Sequence, residues 1–223
     1  MYQPESKQTK LKILVADDHE LALYATINVI KQEYALSEII QAQTTQDALQ
    51  KASNNELDLA VIDLNMPELT GGTAQVESGI QLLKALMRSH KNLNIVVQTA
   101  TPRCLVRLKP AISSHEGGFT VADKSLPMHE MLTRVDWSLK GVIYTPPEIR
   151  SGLEFKPEWL EVMQLAFKEG LQDTAIAKQM NVAERTVRHY WSKIYDVLRV
   201  YPDNGKNLRI QTEIRAREEG LID

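Results

Sequence analysis

Five runs dominated by Val, Ile and Leu recur through the first part of the chain: LKILVA (11–16), SEIIQA (37–42), LDLAVID (57–63), LNIVVQT (93–99) and FTVAD (119–123). They are nearly continuous in apolar residues rather than alternating, which is how strands covered on both faces read. Amphipathic stretches near 20–33, 44–53, 79–90, 102–114 and 126–140 separate them and carry helical spacing. Five strand–helix repeats predict an α/β fold built on a doubly wound, five-stranded parallel sheet. In such a sheet, sites form beyond the C-terminal ends of the strands, where the strand order reverses. Asp17, Asp18, Asp63 and Thr99 fall at those ends, and Lys124 follows the fifth run.

The stretch LDLAVIDLNMP runs apolar to Asp63 and then breaks at Pro67. Three carboxylates converging at sheet ends repel one another unless a hard cation joins them, and Mg²⁺, which prefers oxygen ligands, suits that role. Taken singly, Asp17-Asp18-His19 reads as a helix start, Thr99 as a strand residue and Lys124 as a solvated lysine. Only their coincidence on one rim argues for a site. His19, His90, His115 and His129 show no metal-ligand spacing and read as surface residues.

This constellation resembles the receiver domain of bacterial two-component response regulators over roughly residues 10–145. The DD of VADDH, the Asp of DLNMP, the Thr of QTA and the Lys of DKS carry the match. The resemblance implies a flavodoxin-like receiver in which Asp63 accepts a phosphoryl group from a sensor histidine kinase. It further implies that Asp17, Asp18, Asp63 and the backbone carbonyl of Asn65 hold Mg²⁺. Thr99 would then bond one phosphoryl oxygen and Lys124 pair with another. Two places depart from the pattern. An apparent insertion at 70–78 reads as a surface loop, with a lid or docking surface as the alternative. Val121 stands where relatives often carry an aromatic ring that moves with the switch threonine.

Beyond Pro146-Pro147 the chain reads as helices alone, about 157–169, 172–180, 184–199 and 206–219. The expected organisation is a flexible tail at 1–10, a receiver at 11–145, a linker at 146–156 and a small all-α helix-turn-helix domain at 157–223. AERTVRHYWSKIYDVL is the expected recognition helix. Arg185, Arg188 and His189 recur at helical spacing on one face, and Arg suits guanine edges as Lys suits phosphate. The pieces EGLQDTAIA, VAERTVRHYWSKI and REEGLI resemble the NarL/LuxR type of output domain over about 153–222. That resemblance implies base-edge contacts from Glu184, Arg185, Arg188 and His189 on double-stranded promoter DNA. It also implies a phosphate contact from Lys193, with Thr186 serving the backbone or the helix start. A homodimer through the last helix is a weaker expectation, because Thr212, Glu213 and Arg215 stand where apolar residues are usual.

Composition narrows the function without choosing it. With 43% hydrophobic and 25% charged residues and no apolar run near the ~18 that a membrane span needs, the chain reads as a cytoplasmic protein that meets no membrane. A net charge of −3 requires any DNA affinity to come from a local patch. The single Cys104 excludes an internal disulfide and reads as a core thiol in a reducing compartment. The expected protein is therefore a transcription factor and not an enzyme: a phosphorylated receiver driving a DNA-binding domain. Its rival is a phosphorylation-independent receiver acting as an interaction platform. A magnesium phosphohydrolase ranks last, since neither Asn65 nor Glu68 supplies a clear general acid.

Overall fold

The computed structural model describes residues 10–150, 155–203 and 205–222, so the expected N-terminal tail falls outside it except for Lys10. The chain forms two compact units. The first runs to Pro102 and resumes over Leu108–Pro146; the second comprises Arg103–Arg107 and the chain from Pro147 onward.

In the first unit the strands are β1 (Lys12–Ala16), β2 (Glu38–Ala42), β3 (Leu59–Asp63), β4 (Asn94–Thr99), β5 (Phe119–Asp123) and β6 (Ile143–Tyr144). They lie side by side in the order β2-β1-β3-β4-β5-β6. Every pairing is parallel. The order therefore reverses between β1 and β3, whose C-terminal ends lead into Asp17 and Asp63. Helices α1 (Glu20–Glu33) and α5 (Met128–Leu139) pack on one face, over Ile13, Val15, Leu59, Val61 and Val96. Helices α2 (Thr45–Ser53), α3 (Val76–Ser89) and α4 (Lys109–Ser114) pack side by side on the other. Residues Leu59–Asp63 are all buried, as a central strand covered on both faces requires.

Three details differ from the sequence expectation. The sheet has six strands rather than five, because Ile143 and Tyr144 pair in register with Phe119 and Thr120. Two residues are too short to give a periodic signal. Besides that pairing, Arg134 packs on Tyr144: its guanidinium lies 4.5 Å from the Trp137 ring centre and 4.2 Å from that of Tyr144. The expected helix at 102–114 divides into a 3₁₀ segment, Pro102–Leu108, and α4. Pro110 explains the break, since it cannot donate a backbone hydrogen bond and disfavours a helical residue before it. Finally, α3 starts at Val76, so part of the insertion is helical and the loop shortens to 68–75. That loop is tied at its base: Gln75 N–H donates to Met66 O at 3.2 Å, and the carbonyls of Pro67 and Glu68 accept the N–H groups of Thr45 and Gln46. It thus supplies acceptors to the first turn of α2, beside the Thr44 hydroxyl that caps it.

The second unit contains α6 (Pro147–Arg150), α7 (Pro157–Phe167), α8 (Asp173–Gln179), α9 (Glu184–Leu198) and α10 (Leu208–Glu218). Within the stretch expected as linker, Pro147–Arg150 is helical and Ile149 and Phe155 are buried. Val162, Met163, Ile176, Val187, Trp191, Ile194, Leu198 and Ala216 form one core. Between α8 and α9 the chain turns through Asn181 at φ 54°, and Arg199 at the end of α9 has the same φ. That left-handed conformation favours glycine, so an arginine there carries a small strain cost.

Close approach of α3 to the end of β3 requires a residue without a side chain. A Cβ built on Gly79 would sit 2.0 Å from the Leu64 carbonyl oxygen and 2.7 Å from its carbon. Both contacts are to backbone just past Asp63, so they are relieved only by moving the helix. Gly79→Ala should therefore lower stability by about 1–3 kcal/mol, even though alanine is favoured in a helix by about 1 kcal/mol. Thermal unfolding checks this, and a melting point equal to or above that of the unmodified chain contradicts it.

Candidate phosphoacceptor pocket and nucleic-acid interface

At the reversal point of the sheet, Asp17 and Asp63 are 1% and 3% exposed. Both would be costly as isolated ions at that depth. They are joined by Lys124, whose Nζ lies 2.8 Å from Asp17 Oδ2 and 2.9 Å from Asp63 Oδ2. Strand β5 places it there: Lys124 N–H donates to the Thr99 carbonyl, which registers the residue against the end of β4. Asp17 Oδ1 accepts the backbone N–H of His19, and Asp63 Oδ1 accepts that of Asn65 at 3.2 Å. Each carboxylate is thus oriented by a turn two residues on. Thr99 is buried, and its Oγ accepts the Thr101 N–H at 3.0 Å, which leaves the hydroxyl proton to donate.

Burial raises the Asp63 carboxyl above its ordinary value of 3.8; the Lys124 ammonium and its hydrogen bond oppose this, and the Asp17 charge reinforces it. Burial alone would lower Lys124, but hydrogen bonds and charges from Asp17 and Asp63 prevail and raise it above 10.5. The lysine therefore holds its proton more tightly than a solvated lysine does.

The donor set fits a hard cation. Ligand atoms from Asp17, Asp18, His19 and Asp63 all lie within 4.8 Å of one another. Asp18 Oδ1 is buried yet accepts no hydrogen bond; the His19 Nδ1 at 2.8 Å is close but not aligned to donate. An unsatisfied carboxylate oxygen beside two buried carboxylates and a single ammonium is the environment a divalent ion relieves. Asp17, Asp18 and Asp63 thus come together as the sequence suggested. His19 joins them, a neighbour that VADDH displays but that strand-end reasoning overlooked. Asn65 contributes its N–H in this geometry. His115, read as a surface residue, is instead 7% exposed, with Nε2 donating to the Leu93 carbonyl at 2.7 Å. Val121 and Phe119 are both core residues of β5.

In the second unit, α9 buries Val187, Trp191, Ile194 and Leu198 and exposes Arg185, Arg188, His189, Ser192, Lys193 and Asp196. The exposed set recurs at three- and four-residue spacing, so it forms one face. Arg185, Arg188, His189 and Lys193 therefore share a surface with a positive surplus in an acidic protein. Ser192 belongs to the same face and follows from the spacing, although its neutral side chain drew no notice in the sequence. Glu184 and Thr186 are only half exposed. Glu184 Oε1 receives Arg188 Nη2, and its Oε2 lies 3.4 Å from the Thr174 hydroxyl on α8. Its carboxylate is therefore engaged by neighbouring side chains rather than held out free on the exposed face.

Comparison with known proteins agrees with this arrangement. Residues 13–135 match the response regulator receiver domain. The chain is 31% identical over 210 residues to the glycerol metabolism activator of Pseudomonas putida, a match covering 85% of this chain and 90% of that protein. It is 25% identical to the transcriptional regulatory protein YdfI of Bacillus subtilis, across 95% and 97% of the two chains. Among solved structures, the RcsB response regulator of Salmonella typhimurium superposes with a TM-score of 0.58 at 21% identity, covering 93% of this chain and all of that one. No helix among the described residues is long and apolar enough to cross a membrane. The chain belongs to the two-component response regulators, and it is a regulator of transcription.

Proposed function

We propose that Asp63 is the phosphoacceptor of this regulator and that its phosphorylation alters how α9 engages double-stranded promoter DNA. The observation that carries the reading is the Asp17–Lys124–Asp63 bridge beside the unsatisfied oxygen of Asp18. An Asp63 oxygen attacks phosphorus, forming an O–P bond as the N–P bond of a sensor kinase's phosphohistidine breaks. Lys124 and the Thr99 hydroxyl receive the transferred oxygens in this reading, so the protein's part is positioning and charge neutralisation. Asp17, Asp18 and Asp63, with the Asn65 carbonyl, would hold Mg²⁺, which when bound supplies the charge that offsets the crowded oxygens.

For the output domain, Arg185, Arg188 and His189 face base edges and Lys193 faces phosphate. Thr186 serves the helix start, and Glu184 acts through Arg188. RcsB, with which the fold superposes, has been solved in complex with DNA and as DNA-bound dimers; a homodimer on DNA is the corresponding assembly here. The protein works in the cytoplasm and turns over no substrate of its own.

The pocket electrostatics give a signed prediction. Because the folded Asp63 value is raised, the contribution of its neutral form is full below 3.8 and is lost as pH rises through the folded value. Asp63→Asn keeps a neutral group at every pH, so without divalent metal at neutral pH it should melt above the unmodified chain. Mg²⁺ should reverse the order, stabilising the unmodified chain by about 1.4 kcal/mol at ten times its dissociation constant and the variant less. A variant that melts lower without metal, or gains equally from Mg²⁺, contradicts the assignment.

The function itself is tested with a duplex selected from a random pool by the unmodified chain. Treatment with Mg²⁺ and a small phosphodonor should change affinity for that duplex several-fold, and Asp63→Asn should show no such change. Equal affinity before and after phosphorylation would favour the phosphorylation-independent reading.

A further inference from the structure

Asp173, at the start of α8, is a hub that neither core packing nor the exposed basic face accounts for. Its Oδ1 accepts Trp191 Nε1–H from α9 at 3.1 Å. Both its oxygens accept Arg209 Nη2 from α10, at 2.9 and 3.0 Å. The Arg209 guanidinium in turn lies 3.4 Å from the centre of the Trp191 ring. That ring stacks on Tyr195 at 5.9 Å and meets Phe167 of α7 edge-on at 5.5 Å. One indole is thus held on its N–H by a carboxylate and on its face by a cation, and those two groups are paired with each other.

The location makes this more than a stabilising contact. Trp191 is 2% exposed and belongs to the buried stripe of α9, across the helix from Arg185, His189, Ser192 and Asp196. Turning α9 about its axis by about 10° moves the outer ends of its side chains by about 1 Å, since a helix with its side chains is about 5–6 Å in radius. Binding constellations tolerate about 0.5 Å of misplacement, so roll alone decides whether the exposed face fits a groove. Local chain geometry does little to fix that roll. Helix α8 has seven residues and no side-chain cap, and residues 201–203 and 205–207, on the way to α10, are exposed. A charge-assisted pair with the geometry of Asp173 and Arg209 is directional where aliphatic packing is not.

We propose that Asp173, acting with Arg209, is a positioning residue for DNA recognition, fixing the roll of α9 by tying Trp191 to α8 and α10. Through this hub α10, which carries none of the expected base contacts, sets how the basic face is presented. The inference rests on the reading of α9 as the DNA-binding helix.

The test uses the full chain, a duplex selected from a random pool by that chain, and a scrambled duplex of equal length. Arg209→Lys keeps the charge but loses the two-oxygen grip and the flat stacking surface; Asp173→Asn keeps an acceptor for Trp191 but loses the ion pair. At a temperature where circular dichroism shows all chains folded, each should lose about tenfold in affinity for the selected duplex and none for the scrambled one. Val162→Ala, which removes core volume on α7, should lower the melting point while leaving selected-duplex affinity unchanged. Retained affinity in Arg209→Lys overturns the proposal, even should Asp173→Asn fail to fold. An equal loss in Val162→Ala also overturns it, because the hub then acts only through stability. If the unmodified chain selects no duplex, the DNA reading itself falls and the proposal with it.

Discussion

Everything in the receiver pocket depends on one ammonium placed between two buried carboxylates. Lys124 reaches Asp17 and Asp63 at 2.8 and 2.9 Å, where either acid alone would have to give up its charge or its burial. Removing the lysine from such an arrangement costs about 3–5 kcal/mol, because two buried carboxylates are then left without a counter-charge. Beside the bridge, Asp18 keeps a buried oxygen that accepts no hydrogen bond, with His19 Nδ1 close by at 2.8 Å but not aligned to donate. A pocket that is folded yet short of positive charge is ready for a cation and for the anionic group a cation brings.

The sheet makes this convergence possible. With β1 and β3 adjacent at the reversal of strand order, their C-terminal ends deliver Asp17 and Asp63 side by side, and β4 and β5 deliver Thr99 and Lys124 next to them. Gly79 lets α3 close against Leu64 immediately beyond Asp63, and the loop at 68–75 is fastened to α2 rather than hanging free. The second unit solves a different problem with similar means. There a carboxylate and a guanidinium fix an indole, so that a small helical domain with short elements can hold α9 in one orientation.

Much of this was legible in the residues. The apolar runs place all five long strands to within two residues of their observed bounds, since burial on both faces leaves a strong compositional mark. The gathering of Asp17, Asp18, Asp63 and Lys124 on one rim was legible for the same reason, as charged residues at the ends of such runs stand out. What escaped notice was weakly patterned. The two residues of β6 carry no periodicity, and the stacking of Arg134 on Tyr144 and Trp137 joins positions that no local pattern links. His115 looks polar in sequence, but its ring finds a carbonyl and goes inside. Asp173 and Arg209 stand 36 residues apart, and only the packing of three helices reveals that they grip the same indole.

The central claim is that Asp63 is the residue on which the signal is written. Intact mass after incubation with Mg²⁺ and a small phosphodonor tests it most directly, with Asp63→Asn and a metal-free sample alongside. The account predicts the addition of one phosphoryl group to the unmodified chain, absent from both controls. Addition to Asp63→Asn, or none to a folded unmodified chain with Mg²⁺ in excess, would contradict it.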